Sequence, residues 1–190
     1  MPLLQDSVWL ISGCSTGFGR EIARTALEAG ARVAVTARHP ESVAGLVSAY
    51  PGQAIALALD VTDAASISAA VAGAIEGFGR IDVLVNNAGY GYVAAVEEGE
   101  EAAIRAMFET NFFGALALTR AVLPMMREQG GGHIINNSSQ AGIMANPGTG
   151  YYSASKHALE GLMEALAKEV APLGIRVSSV QPGAFRTDWS

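Results

Sequence analysis

The stretch GYYSASKHALEGL (150–162) sets a phenol and an amine at a spacing that could do chemistry. Tyr152 and Lys156 are four apart in a run that reads as helix, so both side chains project from one face. The chain has only two lysines, Lys156 and Lys168, so placing one of them a turn after a tyrosine asks for a reason. A phenol with a pKa of about 10 exchanges protons poorly at neutral pH. An ammonium about 4 Å away is worth roughly 4 kcal/mol at an effective dielectric of 20, enough to bring the phenol toward ~7. General acid–base catalysis is most effective in that range. The pair therefore suggests proton transfer at an alcohol or carbonyl oxygen.

A second cluster could bind phosphate. In SGCSTGFGREIA (12–23), Gly13, Gly17 and Gly19 lie between an apolar run and a helical one. Glycines there let the backbone turn tightly and approach a phosphate, which the N–H groups and dipole of the helix start stabilise. The spacing, Gly-x-x-x-Gly-x-Gly, is neither the common dinucleotide fingerprint nor a phosphate loop ending in Gly-Lys-Ser/Thr. The next apolar run ends VAVTARHPE, offering Arg38 where a dinucleotide site would use an acid for a ribose 2′-hydroxyl. An arginine suits a 2′-phosphate instead, so NADP is expected in preference to NAD, with NAD possible. In LDVTD (59–63), Asp60 could accept from an adenine amino group, or with Thr62 could belong to a helix start. In NNAGYG (86–91), Asn86 and Asn87 could bond backbone and ribose, although a plain turn uses the same residues.

The elements that must position these residues alternate. Six apolar runs, at 7–12, 32–37, 54–60, 81–87, 133–139 and 175–181, are nearly continuous, as in strands buried on both faces of a parallel sheet. Helical patterns fill the gaps at 17–29, 63–78, about 99–128 and 152–171; Ile67, Val71 and Ile75 mark one apolar face. The alternation predicts an α/β fold with a doubly wound, mostly parallel sheet and helices on both faces, a Rossmann-type three-layer arrangement. Ligands of such sheets bind beyond the carboxyl ends of the strands, where the candidate residues fall. At 190 residues without linker, repeat or low-complexity tract, a single domain over 1–190 is expected.

The fragments SGCSTGFG, DV at 60–61, NNAG, Asn111 in TNFFGAL, NSSQAG, YYSASK and PGAFRT occur in the order seen in the short-chain dehydrogenase/reductase family, which this chain resembles over essentially its whole length. The resemblance implies an NAD(P)-dependent oxidoreductase acting on alcohol and carbonyl groups, with Asn111, Ser139, Tyr152 and Lys156 as catalytic residues. Ser138 is the neighbouring candidate, but the family's spacing to the tyrosine selects Ser139. Tyr152 would be the general acid/base. Lys156 would lower its pKa and hold the cofactor ribose, Ser139 would stabilise the substrate oxygen, and Asn111 would support a proton relay through a water. Cofactor contacts carried over are Gly13, Gly17, Gly19, Arg38, Asp60, Asn87, Tyr152, Lys156 and Thr187. Ser12 stands where the family usually has threonine, and Phe18 where it has an aliphatic residue. By the resemblance, a substrate-covering segment and a further strand would be expected after the sixth strand and are not among residues 1–190, so substrate identity stays open. Phe185, Trp189, Tyr151 and Met144 suggest a small, apolar substrate. The family also implies a homodimer or homotetramer packed through the helices near 99–128 and 152–171.

Other classes fit less well. His39, His133 and His157 lack metal-ligand spacing, so no metal is expected. Ser139 sits in NNSSQAG rather than Gly-x-Ser-x-Gly, which argues against hydrolysis. A net charge of −6 with scattered basic residues argues against nucleic acid. No apolar run approaches ~18 residues, and the first residues lack a signal-peptide pattern. Cys14, the single cysteine, fits a reducing cytoplasm. The alternative to an enzyme is a non-catalytic NAD(P)-binding redox sensor, which would have no use for a tuned phenol.

Overall fold

A computed structural model describes residues 5–183. Six parallel strands form one sheet: β1 (Val8–Ile11), β2 (Arg32–Ala37), β3 (Ala54–Ala58), β4 (Val83–Asn86), β5 (Gly132–Asn137) and β6 (Ile175–Val180). Their order is β3-β2-β1-β4-β5-β6. The chain reverses its direction of winding between β1 and β4, which opens a crevice at their carboxyl ends. The connecting helices are α1 (Gly17–Glu28), α2 (Ala44–Ser48), α3 (Ala64–Phe78), α4 (Glu101–Phe108), α5 (Ala115–Glu128) and α6 (Gly150–Val170).

Strand side chains alternate between two apolar layers. Leu10, Leu84 and Ile134 pack with Ile67 and Val71 of α3 and Leu118 and Val122 of α5. On the other face, Ile11, Val33, Val35 and Val85 pack with Ala23 and Leu27 of α1 and Leu46 of α2. Burial on both faces explains why β1, β2 and β4 lack polar alternation, whereas β6 alternates between buried or half-buried and exposed positions.

The long helical pattern near 99–128 is not one regular helix. Between α4 and α5, residues Glu109–Gly114 form a π-helical turn. Such turns insert a residue into the helical ladder and recur at functional sites; Asn111 lies within this one. Helix α3 is capped by Asp63, whose carboxylate accepts from the Ala65 N–H at 2.9 Å. The cap therefore falls one residue after Thr62, and Asp60 lies outside the helix start.

Candidate active site

Four candidate residues converge on the carboxyl ends of β4 and β5. Tyr152 and Lys156, on the first turns of α6, are only 9% and 4% exposed. The amine lies 5.8 Å from the centre of the Tyr152 ring and donates to the Asn137 carbonyl, the last of β5, at 2.9 Å. Ser139, just past β5, hydrogen-bonds the Tyr152 hydroxyl and accepts from the Ala141 N–H at 3.1 Å. Neighbouring Ser138 is buried, and its hydroxyl has no partner among the described residues. Of the two serines, Ser139 is the one placed against the phenol.

Electrostatics here depart from the simplest expectation. Burial raises the Tyr152 phenol above its ordinary value, and the bond from Ser139 opposes this. The same burial pulls Lys156 down to about 8, against the attraction of Glu160 one turn on. In this structure burial, rather than the expected pairing with Lys156, sets the direction of the phenol's shift. With the amine turned to the Asn137 carbonyl, desolvation dominates. At neutral pH the phenol keeps its proton and most of the amine keeps its charge.

Asn111 is 1% exposed and fully engaged. Its Oδ1 accepts from the Tyr90 N–H at 2.9 Å, while Nδ2 donates to the Tyr90 carbonyl at 2.8 Å and to Ser155 Oγ at 3.3 Å. A residue that sequence alone rates as an ordinary helix position thus clamps the segment after β4 to α6. Gly89 is held between Asn111 Oδ1 and Lys156 Nζ; a Cβ built there would lie 3.0 and 3.7 Å from them.

The glycine turn sits at the other side of the crevice. Gly13 and Gly17 adopt φ of +71° and +56°, a region that disfavours other residues. Gly19 has no room for a side chain, because a Cβ would overlap the Gly13 carbonyl and the Asn87 amide. Helix α1 starts here with no side-chain cap from Thr16 and no acid in its first turn. This cradle of backbone N–H groups at an uncapped helix start fits a dinucleotide pyrophosphate.

Asn87 takes the backbone-bonding part of the role its residue type suggested. Its Nδ2 donates to the Ser12 and Gly13 carbonyls, both at 2.9 Å, and its Oδ1 accepts from Asn137 Nδ2 at 2.9 Å. The side chain holds the glycine turn against β5, so the amide hydrogens are not left for a ribose. Asp60 is similarly engaged: Oδ1 accepts from the Thr62 N–H at 2.9 Å and its hydroxyl at 2.7 Å. Those bonds, helped by Arg38, hold its carboxyl below the usual value. Arg38 itself is exposed, one residue past β2, beside the same crevice. Thr187, Phe185 and Trp189 lie outside the described residues. No group of three or more metal-binding side chains occurs among the described residues, and none of their helices is long and apolar enough to cross a membrane.

Sheet order, glycine cradle and the serine–tyrosine–lysine cluster together define an oxidoreductase with a Rossmann-type nucleotide-binding fold. Residues 7–190 match the family model for short chain dehydrogenase. The chain is 44% identical to a 3-ketodihydrosphingosine reductase of Bacteroides thetaiotaomicron and 42% identical to oxidoreductase BOA17 of Botryotinia fuckeliana, over 98% and 96% of its length. It spans 67% of each of these curated relatives. A short-chain dehydrogenase from Streptomyces avermitilis superposes with a TM-score of 0.93 at 51% identity, over 97% of this chain and 68% of that one. A 3-ketoacyl-(acyl-carrier-protein) reductase from Brucella melitensis, complexed with NADH, superposes at 0.94 with 31% identity, over 98% and 79%. The chain belongs to the short-chain dehydrogenase/reductase family.

Proposed function

We propose that the protein reduces a ketone or aldehyde with NADPH, Tyr152 giving the proton. The observation that carries this reading is the hydrogen bond between Ser139 and Tyr152 on a phenol that burial keeps protonated. The crevice would hold a nicotinamide cofactor, which would supply the hydride for the carbonyl carbon. Gly13, Gly17 and Gly19 would cradle its phosphates; Lys156, Asp60 and Thr187 would contact the rest. Arg38 supports NADP over NAD, since a guanidinium pairs well with a 2′-phosphate.

Each remaining residue then has a task. Ser139 donates to the substrate oxygen as negative charge grows there. The Tyr152 hydroxyl breaks its O–H bond and passes the proton to that oxygen, giving the alcohol. The charged Lys156 steadies the phenolate that remains until solvent returns the proton. Asn111 supports that return by fixing Gly89 and Tyr90 beside Lys156. Oxidation of the alcohol reverses every step.

The identity with a 3-ketodihydrosphingosine reductase supports a carbonyl substrate with an apolar substituent. A cytoplasmic location and assembly into dimers or tetramers through α4–α6 complete the reading. The test is NADPH consumption on a panel of ketones, aldehydes and secondary alcohols. Turnover on any of the carbonyls is expected; cofactor binding without turnover would make the protein a redox sensor instead.

A further inference from the structure

Five of the exposed large apolar side chains among the described residues lie on the segments that follow the site's strands: Tyr90, Val93 and Val96 follow β4, while Ile143 and Met144 follow Ser139. Val93 and Val96 are 72% and 73% exposed, and Ile143 67%. The two segments are joined, because the Ala94 N–H donates to the Gly148 carbonyl at 2.9 Å.

What holds residues 92–100 in this place is Tyr151, the neighbour of Tyr152. Its hydroxyl donates to the Val96 carbonyl. Its ring lies 6.2 Å from that of Tyr92, whose hydroxyl accepts from the Glu100 N–H at 2.8 Å. The ring also packs so closely on Gly99 that a Cβ there would overlap it. Val96 itself lies next to Gly150, the first residue of α6. The phenol next to Tyr152 is therefore spent on a loop, not on substrate.

We propose that Tyr151 is a positioning residue, fixing Val93 and Val96 as the apolar wall that reads the hydrocarbon substituent of the carbonyl substrate. This rests on the reading of the site as a carbonyl reductase. Continuity supports it: one turn of α6 carries both Tyr152 and the residue that latches the loop, and Ile143 lies four residues beyond Ser139. A substituent leaving the carbonyl toward these segments meets hydrocarbon, whose burial is favourable. A polar substituent would gain nothing there.

The test uses methyl ketones from 2-butanone to 2-decanone. KM is measured with NADPH, and equilibrium binding is measured with NADP⁺ present, where no reduction can occur. In the unaltered protein, affinity should rise with chain length. Tyr151→Phe keeps the ring and loses the bond to Val96; Val96→Ser keeps the latch and removes the apolar wall. Each should lower the KM ratio of 2-butanone to 2-decanone at least fivefold, with NADPH affinity unchanged. A loss shared equally by both ketones, a change in kcat alone, or no change would overturn the proposal. Should no ketone be reduced while binding still depends on chain length and Tyr151→Phe abolishes that dependence, the wall stands and the reductase reading fails. Binding indifferent to chain length overturns the wall whatever the turnover.

Discussion

The side-chain amide of Asn137 donates to Oδ1 of Asn87 at 2.9 Å, and this bond joins the two halves of the site. On one side Asn87 holds the carbonyls of Ser12 and Gly13. On the other, the main-chain carbonyl of Asn137 receives the Lys156 amine. The glycine turn and the proton-transfer residues are thereby fixed to one another through two asparagines on neighbouring strand ends.

Asn87→Ala should therefore damage both halves. It removes partners from two backbone carbonyls and from the Asn137 amide, and each buried group left unpaired costs about 1–3 kcal/mol. Urea denaturation should show a loss of at least about 1–3 kcal/mol, with weaker NADPH binding measured by fluorescence. Unaltered stability would mean that solvent replaces the bonds.

Gly19→Ala tests the cradle. The new methyl would overlap the Gly13 carbonyl and the Asn87 amide, with backbone on one side that cannot swing away. Overpacking of this kind typically costs about 1–3 kcal/mol. NADPH affinity should fall at least about tenfold by titration, which corresponds to 1.4 kcal/mol. The equivalent change at Gly45, where a Cβ meets nothing within 4 Å, should leave cofactor binding intact.

Much of this arrangement is legible in the sequence, for a physical reason. Strands buried on both faces are mostly apolar, so β2 reads directly from RVAVTA and the other five fall within a residue or two of their sequence runs. The helix ends at Gly30 and Gly79 are marked by residues free to adopt positive φ. Less legible is what depends on distant partners. The π-helical turn carries Asn111, whose bonds reach Tyr90 and Ser155, 21 and 44 residues away, which no local periodicity reveals. The short helix α2 leaves too brief a pattern to read. The roles of Asn87 and Tyr151 likewise depend on which neighbours fold against them. Tyr152 shows the limit for electrostatics, since the spacing to Lys156 is visible in sequence but the burial that raises the phenol is not.

Arg38 offers a test of cofactor choice. Arg38→Ala removes the cation beside Asp60 at the end of β2, and a hydrogen bond to a charged group is worth about 1.5–3 kcal/mol. The ratio of kcat/KM for NADPH to that for NADH should fall about tenfold or more. An unchanged ratio would show that Arg38 is a solvated surface charge.

Lys156 predicts a pH dependence of stability. Burial takes its amine from 10.5 in the unfolded chain to about 8 in the folded one. Below about 8 both states hold the proton, and the folded state bears the full cost of the buried charge. Between about 8 and 10.5 the unfolded chain binds more protons, so this residue's contribution improves as pH rises. The stability of the protein minus that of Lys156→Met should climb by about 3 kcal/mol across that window, measured by urea denaturation at intervals of pH. A flat difference would mean that the amine is hydrated in the folded state.

The central claim is that the Tyr152 hydroxyl supplies the proton when a carbonyl is reduced. The direct measurement is single-turnover NADPH oxidation on a ketone that the unaltered protein reduces, repeated with Tyr152→Phe. General acid–base catalysis is worth about 10²–10⁴ in rate, so the variant should lose activity on that scale while binding NADPH with an affinity within about twofold. Hydride transfer in the variant at more than a tenth of the original rate would contradict the account.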